Sequence, residues 1–381
     1  MPQWSVPLAD VVVPEEDIAA VAEVLRSGWL TMGPVTAAFE EDLKAYTGAA
    51  HAFAVTNGTA ALHLLCLAAE LGPGDEVIVP SMTFVATANA IAYTGATPVF
   101  ADVADVLRPW LSAAAAEAAI TPRTKAIMAM SYGGHPGEIR ALAAVAERHG
   151  LLLLEDGAHG LGAREDDRHV GTFGFGGAFS FFGNKNLPVG EGGAVVVQDD
   201  VAAARVKLLR SHGMTTLTWD RHRGHASTYD VVALGYNDRI DEPRAALARA
   251  GLRRLDEGNR RRAALDARYR DALAGVDGVE PTEAPPASAV GAHHLFTVVL
   301  DPSLDRDAFR TALAERGVQT SQHYPPAHRF EIYREAAAEL PVTDAYARRT
   351  VTLPLFPTMT DEQLERVVAA SVAALADAAP V

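Results

Sequence analysis

The sequence predicts an α/β protein: three layers, with a mostly parallel, doubly wound sheet between helices, followed by a smaller C-terminal α+β domain. Three observations lead there. Between residues 52 and 210 apolar runs alternate with helical stretches, the pattern of successive strand–helix–strand units. Several of those runs, LLLLED (151–156) among them, are continuously apolar, as strands covered on both faces are. At 381 residues the chain also exceeds the ~250–300 residues that one core usually serves.

Residues 1–50 read as an irregular arm marked by Pro2, Pro7 and Pro14, a helix near 15–27, the loop SGWLTMGP and a helix near 35–46. The loop sets Trp29 and Leu30 among glycines, and left alone it would be an exposed apolar patch. Residues 51–248 form the expected large domain. Its strands are FAVT (53–56), EVIVP (76–80), TPVFAD (97–102), AIMAMSY (126–132), LLLLED, AFSFF (178–182) and AVVV (194–197). Helices near 59–70, 84–94, 111–119, 137–149 and 200–210 separate them, with GPGD, TPRT and GGHPG as breaks.

Residues 211–230 form a long irregular loop rich in His, Arg and aromatics, of a length that in a compact domain points to function. A helical stretch over 241–274, with breaks expected at Gly251 and Gly258, leads into a small domain spanning 249–381. There a Pro-rich connector (281–290) precedes HHLFTVVL (293–300), a helix near 305–316, VQTSQHY (318–324) and a last helix over 360–377.

A formal charge of −15 disfavours nucleic acid and anionic membranes as partners, since both need a basic face. No stretch reaches the ~18 apolar residues of a membrane span, and the N-terminus lacks a signal-peptide pattern. The single cysteine, Cys66, sits in the apolar run ALHLLCLAAE and reads as core. Without a disulfide framework the chain suits a reducing cytoplasm.

The chemistry centres on FSFFGNKNLPVGEGGAVVV (179–197). Here Lys185 lies in a turn between two apolar runs, in a chain with only four lysines. A solvated lysine, with a pKa near ~10.4, is protonated at neutral pH. Partial burial favours the amine, which can then condense with a carbonyl.

Four neighbours narrow the reaction. Gly58, Thr59 and Ala60 stand at a strand–helix junction, where free N–H groups and the helix dipole favour an anion, though a Thr N-cap would look the same. Asp156 ends the run LLLLED, and a buried carboxylate requires a partner: a protonated pyridine nitrogen, a metal, an arginine or a turn that it caps. Ser180, five residues before Lys185, can close the anion site. Phe84 follows a strand end, where it can lie flat on a planar ring or simply be core. Together these residues fit pyridoxal 5′-phosphate (PLP): Lys185 bonds the aldehyde, Asp156 keeps the ring nitrogen protonated, Phe84 stacks, and Thr59 with Ser180 holds the phosphate. His222 and His225 lie three apart and His293 and His294 are adjacent, but no cysteine or further carboxylate completes a set at zinc spacing, so no metal is expected.

The motifs NGTAAL (57–62), GDEVIVPSMTFVATANAI (74–91), EDGAHG (155–160), FSFFGNKNL (179–187), GEGGAVV (190–196), RSHG (210–213), GYNDRI (235–240) and YPPAHR (324–329) resemble, in order and spacing, those of the DegT/DnrJ/EryC1/StrS sugar aminotransferases of PLP fold type I. The resemblance implies Lys185 as Schiff-base lysine, Asp156 at the pyridine nitrogen, His159 near the ring hydroxyl, Phe84 as stacking residue, and Thr59, Ala60 and Ser180 at the phosphate. It also implies that Asn237 reaches the phosphate of a neighbouring subunit, hence a homodimer with shared active sites. Many members carry Gln where this chain has His159. Some relatives replace the lysine with histidine and dehydrate sugars, and Lys185 argues against that branch.

The implied reaction moves an amino group from L-glutamate to a nucleotide-linked keto-deoxysugar, a 4-keto- or 3-keto-6-deoxyhexose. Trp219, Arg221, His222 and Arg223 offer charge and aromatic surface for a pyrophosphate and a base. Arg239, His323, Tyr324 and His328 are substrate-side contacts by family analogy. Two other readings stay open: an aminotransferase of keto-cyclitols, and a PLP-binding regulatory protein without turnover.

Overall fold

In the computed structural model, residues 4–216, 228–336 and 338–378 are described. Helices α1 (Glu15–Ser27) and α2 (Pro34–Thr47) come first. Three acidic residues open α1 and Gly28, at φ +73°, closes it. The acids face the positive end of the helix dipole, and the left-handed cap costs a glycine little.

The large unit then runs β1 (His51–Val55), α3 (Gly58–Ala68), β2 (Glu76–Pro80), α4 (Ala86–Ala92), β3 (Thr97–Ala101), α5 (Ala113–Ala118), β4 (Thr124–Met130), α6 (Ile139–His149) and β5 (Leu152–Asp156). A short hairpin, β6 (Arg164–Glu165) and β7 (Arg168–His169), leads to β8 (Gly176–Ser180), β9 (Gly193–Val197) and α7 (Asp200–Leu209). The sheet order is β1-β9-β8-β5-β4-β2-β3. Only β9 runs against its neighbours; the pairs from β8 across to β3 are all parallel.

Both faces of this sheet are covered. Phe53 and Val55 of β1 join a core with Leu64, Leu65 and the fully buried Cys66 of α3. The alternate residues Ala52 and Ala54 join Phe39 and Leu43 of α2, with Phe179 and Val196, on the other face. Period-two alternation thus feeds two helical layers from one strand, and the three-layer expectation holds.

Beyond the sheet come α8 (Glu242–Leu252), α9 (Leu255–Leu273), β10 (Val279–Pro281), β11 (Ala289–Val290), β12 (Phe296–Leu300), α10 (Arg306–Glu315), α11 (Pro341–Arg349), β13 (Thr350–Leu353) and α12 (Asp361–Asp377). Strands β10, β12 and β13 form an antiparallel sheet. Its core holds Tyr269, Phe296, Phe309, Val351 and Val367.

The sequence pattern misplaces some details. The break in the 241–274 stretch falls at Arg253–Arg254, while Gly258 lies inside α9; one helical glycine costs only ~1 kcal/mol, which packing offsets. A boundary at 248 would cut α8. Leu252 and Leu255 belong to the core with Phe39, and Leu265 onward to the second core. The N-terminal arm does not stand apart either, because Val6 pairs with Val318 and is buried in that second core. Helix α11 and strand β13 are not among the elements the pattern marks.

Candidate active site

Six strands of the large sheet run in one direction, and the segments leaving their carboxyl ends meet around one cavity of about 770 Å³. In such sheets ligands bind at this edge. Asn57 and Gly58 follow β1, Phe84 follows β2, Asp156 ends β5, and Ser180 ends β8 with Lys185 just beyond it; all line the cavity.

The turn carrying Lys185 is closed by backbone bonds. Phe181 N–H donates to Gly192 O (2.8 Å), Val189 N–H to Phe181 O (2.9 Å) and Lys185 N–H to Phe182 O (2.9 Å). Asn186 ties the turn to the second unit, its Nδ2 donating to Asn259 Oδ1 (2.8 Å) and Ala292 O (2.7 Å). Burial lowers the Lys185 ammonium to about 8, against the opposing pull of Asp156.

Asp156 is 3% exposed. Its Oδ2 accepts the Thr87 hydroxyl at 2.7 Å and its Oδ1 the Ala158 N–H at 3.0 Å. Thr83 Oγ1 lies 2.5 Å from Thr87 Oγ1, so a chain of hydroxyls supports the carboxylate. Burial raises the Asp156 pKa, while the two donors and Lys185 lower it. Asp156 thus caps the turn that follows it through Oδ1, as one sequence reading allowed, but it does more than that, because its other oxygen is held from α4 and it feels the Lys185 cation.

The start of α3 presses on the ends of β8 and β9. A Cβ on Gly58 would lie 2.7 Å from Ser180 Cβ, and one on Gly193 would lie 2.6 Å from Asn57 C. Both glycines therefore let the helix N-terminus come within reach of the Ser180 hydroxyl, as an anion seat requires. Asn57 caps α3 by accepting the Ala60 N–H at 2.8 Å. The Ala60 N–H, an expected phosphate contact, is thus already engaged by Asn57, while Gly58, Thr59 and Ser180 line the cavity beside it.

His159 is buried. Its Nδ1 accepts Gly133 N–H at 3.3 Å and its Nε2 lies 2.8 Å from the Tyr324 hydroxyl. Burial and the nearby Lys185 cation hold its pKa well below the imidazole range. Phe84 is 55% exposed and its ring centroid is 5.7 Å from that of Tyr324, so it is a wall residue and not core. His323 lines the cavity, bonded through Nδ1 to Thr352 Oγ1 (2.9 Å), with burial lowering its pKa to about 4.

Other candidates lie elsewhere. His328 is 1% exposed, its Nδ1 2.6 Å from Ser81 Oγ and its Nε2 facing Asp344 at 3.5 Å. It braces the segment after β2 and does not line the cavity, which corrects its assignment as a substrate contact. Asn237 is exposed and Arg239 half-buried, and neither lines this cavity. Trp219, Arg221, His222 and Arg223 lie outside the described residues. Among the described residues no cluster of His, Cys, Asp and Glu could hold a metal ion, and no helix is long and apolar enough to cross a membrane.

Sequence reasoning missed Thr87, Asn186 and His294. His294 lines the cavity, its ring centroid 4.3 Å from that of His159 and its Nδ1 2.9 Å from Asn186 Oδ1. For Thr87 a signal existed: it lies four residues after Thr83, one helical turn away. The other two depend on contacts between the two units.

Residues 12–372 match the model of the DegT/DnrJ/EryC1/StrS aminotransferase family. The chain belongs to this family. It is a PLP-dependent aminotransferase of fold type I, and the solved structures agree. An aminotransferase TlmJ from Streptoalloteichus hindustanus is 35% identical, with 97% of this chain and 99% of that chain covered and a TM-score of 0.91. DesV of S. venezuelae, solved with a ketimine intermediate, is 38% identical over 94% of each chain, with a TM-score of 0.87. PseC from Helicobacter pylori, an aminotransferase of pseudoaminic acid biosynthesis, is 27% identical over 97% of this chain and 99% of that one, with a TM-score of 0.89. Family and relatives place this aminotransferase among the sugar aminotransferases.

Proposed function

We propose that the enzyme carries the amino group of L-glutamate to the keto group of a nucleotide-linked deoxysugar, with PLP held at Lys185. The observation that carries this reading is the opposition of Lys185 and Asp156 in one cavity that also contains an anion seat. The residues present fit the cofactor: Gly58 leaves no room for a Cβ beside Ser180, and the exposed Phe84 ring lines the same cavity as Lys185 and Asp156.

Bound PLP supplies an electron sink for proton movement at the substrate carbon. The protein does the rest. Lys185, its ammonium lowered to about 8, releases and takes up a proton near neutral pH and serves as general base and acid. Asp156, oriented by Thr87 and Ala158, holds a proton on the ring nitrogen. Amides at the start of α3 and the Ser180 hydroxyl bind the phosphate. His323 and the cavity mouth face the sugar.

The sugar acceptor is supported by the likeness to sugar aminotransferases such as PseC. A homodimer is supported by exposed apolar residues beside Asn237: Val231, Val232 and Leu234, the last 89% exposed. The test is 2-oxoglutarate formation from glutamate across nucleotide keto-sugars and keto-cyclitols. Turnover confined to the cyclitols would refute the acceptor assignment.

A further inference from the structure

Family resemblance sets His159 against the ring hydroxyl of the cofactor, yet both of its nitrogens are already engaged by the protein. Nδ1 accepts Gly133 N–H at 3.3 Å, which leaves the proton of the neutral imidazole on Nε2. That N–H points at the Tyr324 hydroxyl oxygen, 2.8 Å away. The ring is also confined: His294 lies against it, and His294 is tied to Asn186.

Tyr324 is equally fixed. Its N–H donates to Met82 Sδ at 3.3 Å, and the carbonyl of His323 before it accepts the Tyr132 hydroxyl. A phenol that accepts from His159 has used a lone pair and still has its own O–H to place. That proton has the cavity before it, since Tyr324 lines the same space as Lys185 and Asp156 and lies beside Phe84, the residue placed to cover a flat ring.

We propose that Tyr324, and not His159, donates the hydrogen bond to the hydroxyl oxygen next to the reactive carbon of the pyridine ring, and that His159 is a positioning residue turning the Tyr324 proton into the cavity. This rests on PLP being bound at Lys185. It moves Tyr324 from the sugar side, where family analogy sets it, to the cofactor. A donor at that oxygen stabilises its anionic form, so the neighbouring lysine-linked nitrogen gives up its proton more readily. Apart from tyrosines, the titratable groups that line the same cavity as Lys185 are Asp156 from β5, the three histidines His159, His294 and His323 from three separate segments, and, from other elements, His63, Glu191 and Asp238. The three histidines are held uncharged at neutral pH and above by burial.

The experiment is an absorbance titration against pH of the lysine-linked chromophore in PLP-loaded wild type, Tyr324→Phe and His159→Ala. Tyr324→Phe should raise the midpoint by about one to two pH units, roughly tenfold to a hundredfold in proton affinity. His159→Ala should raise it by less, because the Tyr324 hydroxyl remains. An unmoved midpoint in Tyr324→Phe overturns the proposal, and so does a His159→Ala rise equal to or larger than that of Tyr324→Phe.

Nitrogen NMR of His159 in the wild type needs no variant. Expected is the same tautomer, Nε2 protonated and Nδ1 bare, before and after PLP is added; a change on loading overturns the proposal. A wild type that shows no lysine-dependent band refutes PLP binding at Lys185 instead, so the two failures are distinguishable.

Discussion

The Thr87 hydroxyl donates to Asp156 Oδ2 at 2.7 Å, joining a helix after β2 to the end of β5. A buried carboxylate with the role proposed for Asp156, holding a proton on a ring nitrogen, depends on such donors for both its charge and its angle. Thr87→Val keeps the volume and removes the donor, at a cost of about 1–3 kcal/mol to the charged form. We expect kcat to fall roughly tenfold or more with KM for glutamate little changed, and Thr87→Ser to restore it. Equal kcat in Thr87→Val and wild type would remove this residue from the account.

Gly58 has no space for a side chain, since a Cβ there would meet Ser180 Cβ at 2.7 Å. Gly58→Ala must push the start of α3 away from Ser180 and open the proposed phosphate seat. PLP affinity, measured by fluorescence titration of the apoenzyme, should drop at least about tenfold. Gly183→Ala is the control, because nothing lies within 4 Å of a Cβ at that position.

Acid should destabilise the fold through its buried histidines. His323 has its pKa lowered from 6.5 to about 4 by burial first and then by Lys185. The unfolded chain therefore binds the extra proton first. The stability from an uncharged His323 is fully present above pH ~6.5 and is lost as pH falls toward ~4, by at most about 3 kcal/mol and less where solvent screens the ring. Urea midpoints at several pH values should show that loss, and His323→Gln should shrink it.

Most of the framework was legible in the sequence because it rests on local rules. Continuous apolar runs marked the seven strands of the large sheet, and Lys185, Asp156, Phe84 and Ser180 were found from their places beside strand ends. His328 misled because it occupies a motif near the site while its ring turns inward to Ser81. Asn186 and His294 could not be read at all, since their meaning lies in a bond between segments 108 residues apart. Ala60 looked like a free donor until Asn57 was seen to cap it.

Exposed apolar side chains bear on assembly. Leu234 stands 89% exposed three residues before Asn237, and a dimer would cover it. Leu234→Asp should convert a dimer to monomer in sedimentation and weaken PLP retention along with it. A variant that stays dimeric and retains PLP would place the interface elsewhere.

The central claim is that Lys185 bonds the cofactor inside this cavity, and an absorbance spectrum tests it most directly. After incubation with PLP, the wild type should show a band near ~420 nm that Lys185→Ala lacks at equal protein concentration. An identical band in both proteins, or none in the wild type, would contradict the account.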